Sequence, residues 1–255
     1  MYEKQLLKHL CKAMARPNVR ALRRKERTLQ TKIDKELEGQ KKFIIAKSKR
    51  LVKGFEAKLS ESEVDAMFDD LDSSGLESVV ISAASDAMKL GAKYRIQKMK
   101  LGQFGISFDV DHPLAVQYLK TDRPLMLSKM AETTKEEIKP LLIQAAKDGL
   151  SPQELAAQIE NSFAFSKSRA LMIAVNEIGT AYEYGNWVPM KQLQDDGNKV
   201  MKKWATVNDD RVTDECESNE NMGWIKLDDL FDSGDDVAPR ESNPRCRCTT
   251  LYELK

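Results

Sequence analysis

Leu22, Leu29, Ile33 and Leu37 stand seven, four and four residues apart in a stretch otherwise dominated by charge. On a helix, that spacing lines all four along one narrow face. Gly39 and Gln40 are expected to interrupt the pattern, which then resumes with Ile44, Ile45, Leu51, Val52, Phe55 and Leu59. The polar face carries Arg16, Arg20, Arg23, Arg24, Lys25, Arg27, Lys41, Lys42, Lys47, Lys49 and Arg50. Residues 1–59 therefore read as a long basic helical arm. A stripe this narrow requires a partner helix, from the same chain or from another copy.

Net charge hides this arm. The 255 residues sum to +1, yet residues 1–58 hold 18 Lys+Arg against 6 Asp+Glu, and the remainder holds 23 against 34. Solvated helices are rich in charge of both signs, but a three-to-one excess of one sign points to a polyanionic partner. Few aromatics interleave with these cations, so the expected contact is to the phosphates of double-stranded DNA, without sequence specificity. A hydrophobic share of 41% excludes a wholly disordered chain. No window reaches the roughly 18 apolar residues of a spanning helix. The N-terminus lacks the apolar run and cleavage site of a secretory signal, and four cysteines point to a reducing compartment rather than a disulfide framework.

From residue 60 helix punctuation becomes regular. Ser60 and Glu63 form a capping pair before Val64, Met67, Phe68 and Leu71, and a turn follows at 72–75. Val80, Ala83, Ala84, Ala87 and Gly91 give the next helix a small-residue face suited to close approach. Residues 102–110 suit a loop or a brief strand, and Asp111-His112-Pro113 a helix entry. Thr134 and Glu137 read as another capping pair, with Pro140 kinking or delaying the helix and Gly149 stopping it. Ser151-Pro152-Gln153-Glu154 is the strongest local start signal. Ser166 is expected to cap a helix burying Ala170, Leu171, Ala174, Val175, Ile178 and Tyr182, ended by Val188-Pro189. A turn at 195–198 leads to two edge-like alternating strands, 199–207 and 246–254, separated by an acidic stretch. The expected fold is mainly α, with a basic arm (1–59), a helical bundle (60–187) and a small α+β module (188–255).

Few constellations carry chemistry. His9 and His112 are the only histidines and have no triad setting; no phosphate-binding glycine loop is present. Asp70-x-Asp72-x-Ser74-Gly75 copies half a calcium loop, but Ile81 stands where a bidentate glutamate is required, so it reads as a helix stop. Asp209, Asp210 and Asp214 offer a magnesium cluster of the kind a nuclease uses, against the plainer reading of solvated turns. Cys216, Cys246 and Cys248 are three candidate zinc ligands, with Asp214, Glu215 or Asn243 as incomplete fourth candidates, against the plainer reading of core-filling thiols. No cofactor is expected unless zinc binds there.

The segment from Ser168 onward resembles the phage Mu F-like minor head protein, or phage head morphogenesis, family. The likeness begins at Arg169-Ala170, Ile173-Ala174 and Glu177, although Val175-Asn176 replaces the usual Arg-Thr. It continues through Lys203-Trp204 and Asp210-Arg211-Val212. Thr213 and Cys216 stand in place of Cys-x-x-Cys, and Asn243-Pro244-Arg245-Cys246-Arg247-Cys248 stands in place of His-Pro-x-Cys-Arg-Cys. With Gly149, Ser151 and Leu155 the resemblance covers about residues 110–255.

The resemblance implies a non-enzymatic part of a tailed phage, made in the host cytoplasm and carried inside the virion head beside the portal protein. Capsid or scaffold proteins are further expected partners. Arg169 and Glu177, two turns apart, are expected to tie their helix to the terminal module. Trp204 is expected to anchor that module's core, Asp210 and Arg211 to fix the acidic loop, and Arg247 to face away from Cys246 and Cys248. The competing expectations are a metal-dependent nuclease or toxin-type enzyme using the acidic cluster, and a scaffold-like protein self-associating through the arm.

Overall fold

The computed structural model describes residues 19–53, 61–148, 150–207, 212–238 and 246–255. Among them are eight α-helices: α1 (Val19–Lys53), α2 (Glu61–Asp69), α3 (Ser74–Lys98), α4 (Pro113–Gln117), α5 (Arg123–Asp148), α6 (Pro152–Glu160), α7 (Lys167–Asp195) and α8 (Asp214–Asn221). Strands β1 (Val200–Ala205), β2 (Ile225–Lys226) and β3 (Thr249–Leu254) form an antiparallel sheet in the order β2-β1-β3. The protein is thus mainly α with a small C-terminal sheet. By contacts it divides into two units, one of Met1–Glu26, Ser82–Leu119 and Val175–Lys255, the other of Arg27–Ile81 and Lys120–Ala174.

In the second unit the stripe on α1 is buried: Leu29, Ile33, Leu37 and Ile44 are each at most 1% exposed. Gly39 and Gln40 do not interrupt this helix, contrary to the sequence expectation. Gly39 costs a helix about 1 kcal/mol, and the buried Leu37 and Ile44 on either side offset it. The tie to α3 is close, because Gly75 leaves room for the Glu36 carboxylate where any Cβ would collide. Ahead of Gly75, the Ser74 N–H donates to Asp72 Oδ1 at 2.8 Å. The half calcium loop is therefore a helix start. Ser60 and Gly149 lie outside the described residues.

Thr134 and Glu137 do not begin a helix. They sit inside α5, which also continues through Pro140. At α6 the capping box forms as read, with Glu154 N–H donating to Ser151 Oγ and Ser151 N–H to Glu154 Oε2. Ser166 Oγ accepts the Arg169 N–H at the start of α7. Leu171, expected inside, is 36% exposed.

In the first unit α3 and α7 pack backbone to backbone. A Cβ on Gly91 would strike the Tyr182 carbonyl, and one on Gly185 the Met88 backbone. Pro189 does not end α7. Val188, Met190 and Leu193 are buried around it, and burial worth about 1.5–3 kcal/mol for each large side chain outweighs the roughly 3 kcal/mol cost of an internal proline. The helix stops at Gly197 (φ 91°), where Gly197 N–H bonds the Gln194 carbonyl and Asn198 N–H that of Leu193. Residues 102–110 form a 3-10 turn (Leu101–Phe104) and loop rather than a strand, and His112 Nδ1 caps α4. Strand β1 proves central, not an edge: β2 and β3 flank it. Leu101, Ile106, Met190, Leu193, Val200, Leu227 and Tyr252 build the core beneath the sheet.

Candidate functional site

Two places concentrate charge or reactive side chains. The first is the solvent face of α1. Arg20, Arg23, Arg24 and Arg27 are exposed there, at the i, i+3, i+4, i+7 positions that share one helical face. Further along, the cations are held in ion pairs: Lys41 and Lys42 with Glu38, and Lys47 with Asp70 at 2.9 Å. Lys41 and Lys42 hold the Glu38 carboxyl below its usual pKa, chiefly through the Lys41 hydrogen bond. Lys25 pairs with Asp86 at 3.0 Å. Lys49 is exposed. Arg16 and the Arg50 side chain lie outside the described residues. Exposed arginines are thus densest in the first turns of α1, a concentration that the composition alone does not reveal.

The second place is the small module around β1. Alternation along β1 turns Val200, Lys202 and Trp204 inward. Trp204 is fully buried, edge-on to Phe231 with ring centroids 5.0 Å apart, among Cys216, Ala238, Cys246 and Cys248. The three thiol sulfurs lie within 4.8 Å of one another, Cys216 and Cys246 at 4.0 Å. Contact with Cys246 and burial push the Cys248 thiol well above the usual range. Arg247, between the two cysteines, is half-buried. Asp214 and Glu215 are exposed at the start of α8; Asp209, Asp210, Arg211 and Asn243 lie outside the described residues.

Lys202 is an internal cation that the sequence reading missed. It is fully buried, donates to the Asp236 carbonyl at 2.8 Å and lies 5.1 Å from the Phe231 ring centroid. Burial lowers its pKa to about 8, against the opposing pull of Asp236, Asp228 and Asp229. Lysine at an inward strand position was the only signal, and the acidic stretch downstream its complement.

Arg169 is buried and donates to Thr134 Oγ1 at 2.9 Å and the Ala164 carbonyl at 2.6 Å, locking α5 and the 3-10 turn at Phe163–Phe165 to the start of α7. Burial draws its pKa down, and Glu137 draws it up. Glu177 is buried on the same helix. Glu183 ties α7 to the module, accepting from Thr249 Oγ1 at 2.6 Å and from Thr250 N–H at 3.4 Å.

The chain is mainly helical, with a three-stranded sheet closed over a cysteine-lined core. Residues 136–251 match the model of the family described as Phage Mu protein F like protein. The match takes in α7, β1, β2, the start of β3 and all three thiols, and a family of this description suggests a phage head morphogenesis protein carried in the virion. No curated protein and no solved structure matches it. No helix among the described residues is long and apolar enough to cross a membrane.

Proposed function

We propose that this chain is a minor head protein of a tailed phage, held inside the head beside the portal, where the first turns of α1 contact packaged double-stranded DNA without reading its sequence. The observation that supports this is the exposed arginine face Arg20, Arg23, Arg24 and Arg27. Guanidinium groups on one face of a rigid helix can follow one phosphate strand. The apolar stripe beneath them is buried within the chain itself, which favours a DNA contact over self-association through the same helix. The role is structural and includes no chemical step. Among the described residues the one histidine, His112, is taken up in capping α4.

The experiment is duplex DNA affinity across a salt series, for the full chain and for a variant with Arg20, Arg23, Arg24 and Arg27 all changed to alanine. Each phosphate contact contributes about 0.9 to the slope of log affinity against log salt. The variant should lose about 3 to 4 from that slope and bind all sequences more weakly. Equal slopes for the two proteins would overturn the DNA contact, and the portal would become the partner to test.

A further inference from the structure

The cysteine cluster has a geometry that core filling does not require. Cys216 comes from the first turn of α8, while Cys246 and Cys248 come from the segment entering β3, 30 residues further on. All three are at most 3% exposed and aim their sulfurs at one another. We propose that Cys216, Cys246 and Cys248 together bind one Zn²⁺ ion as thiolates, with the fourth position taken by water. This inference stands apart from the DNA contact.

Distance is the first argument. Zinc–sulfur bonds of about 2.3 Å on a tetrahedron set sulfurs about 3.8 Å apart. Cys216 and Cys246 are already at 4.0 Å, and no pair exceeds 4.8 Å. An ion therefore fits with small side-chain shifts. A disulfide would instead draw two sulfurs to about 2.0 Å and leave the third thiol buried beside it.

Charge is the second. Binding turns three thiols and Zn²⁺ into a tris-thiolate of charge −1 with release of three protons, and no oxidant is needed. The Thr213 hydroxyl donates to Cys216 Sγ at 3.4 Å, the outer hydrogen bond that a ligating thiolate requires. Cys216 also sits in the first turn of α8, on the positive side of its dipole. The third argument is size. The module's core is built around Trp204 and Phe231 with these cysteines as half its members, and small cores of this kind are often closed by a metal.

The test uses the full chain purified with reductant. Elemental analysis should find about one zinc per chain, and Co²⁺ exchange should give the intense near-ultraviolet band of cobalt–thiolate bonds. Cys248→Ser should weaken zinc binding by more than about 100-fold. Should Cys248→Ser not fold, the wild-type cobalt band still decides, since its intensity counts the sulfurs. A folded wild-type protein that takes up no zinc, a cobalt spectrum without thiolate bands, zinc affinity unaffected by Cys248→Ser, or a Cys216–Cys246 disulfide in the reduced preparation would each overturn the proposal.

Discussion

The carboxylate of Glu183, buried midway along α7, accepts the hydroxyl of Thr249 at 2.6 Å and so joins the helix to the first residue of β3. Glu183→Ala would leave the Thr249 hydroxyl without this acceptor and weaken the environment of the Thr250 N–H. Losing a charged acceptor in a buried site costs about 1.5–3 kcal/mol. Glu183→Gln keeps an acceptor oxygen and should cost less. Urea unfolding of the two variants checks the order, and an unchanged midpoint for alanine would remove Glu183 from the account of how the sheet is held.

Glycines on α1, α3 and α7 should respond in opposite directions. Gly91→Ala and Gly185→Ala each drive a methyl group into backbone of the facing helix. Backbone cannot swing aside as a side chain can, so a cost of about 3 kcal/mol is expected for each. Gly39 is exposed in mid-helix with nothing within 4 Å of an added Cβ. Gly39→Ala should therefore stabilise by up to about 1 kcal/mol. Thermal unfolding of the three variants separates the cases.

That contrast shows what the sequence could disclose. Local signals read well. The α1 stripe, the Ser151 box, the Ser166 cap and the turn at 195–198 depend on neighbours within a turn or two, and all appear as expected. Errors came where distant packing overrode local preference. Pro189 stays inside α7 because Val188, Met190 and Leu193 are buried around it, and Thr134 imitates a cap while serving Arg169 from another helix. At the site, the spacing of Cys246 and Cys248 was legible, but their meeting with Cys216 depends on the sheet and α8. Glu183 and Lys202 were invisible because a charged residue in a sequence gives no sign that a buried partner awaits it.

Lys202 makes the protein's stability respond to alkaline pH. Its folded pKa of about 8 lies below the ordinary lysine value of 10.5, so between those values the unfolded chain binds more protons. Stability contributed by this group therefore rises with pH across that window, and the cost of the buried charge is fully present below pH 8. Lys202→Met removes the charge at every pH. The stability of the variant relative to wild type should be highest near neutrality and fall as pH climbs from 8 to 10.5. A gap independent of pH would show that Lys202 titrates normally.

Arg169 and Thr134 should behave as a coupled pair. Thr134→Val takes one acceptor from a buried guanidinium that keeps its bond to the Ala164 carbonyl, and should cost about 1.5–3 kcal/mol. Arg169→Met removes the charge itself and leaves the Ala164 carbonyl without this donor, a comparable loss. In the double variant the buried charge and its missing acceptor disappear together, so the second substitution should add little. The expected coupling between the two is about 1 kcal/mol or more in favour of the double variant. Strict additivity in urea unfolding would mean that the guanidinium does not depend on Thr134.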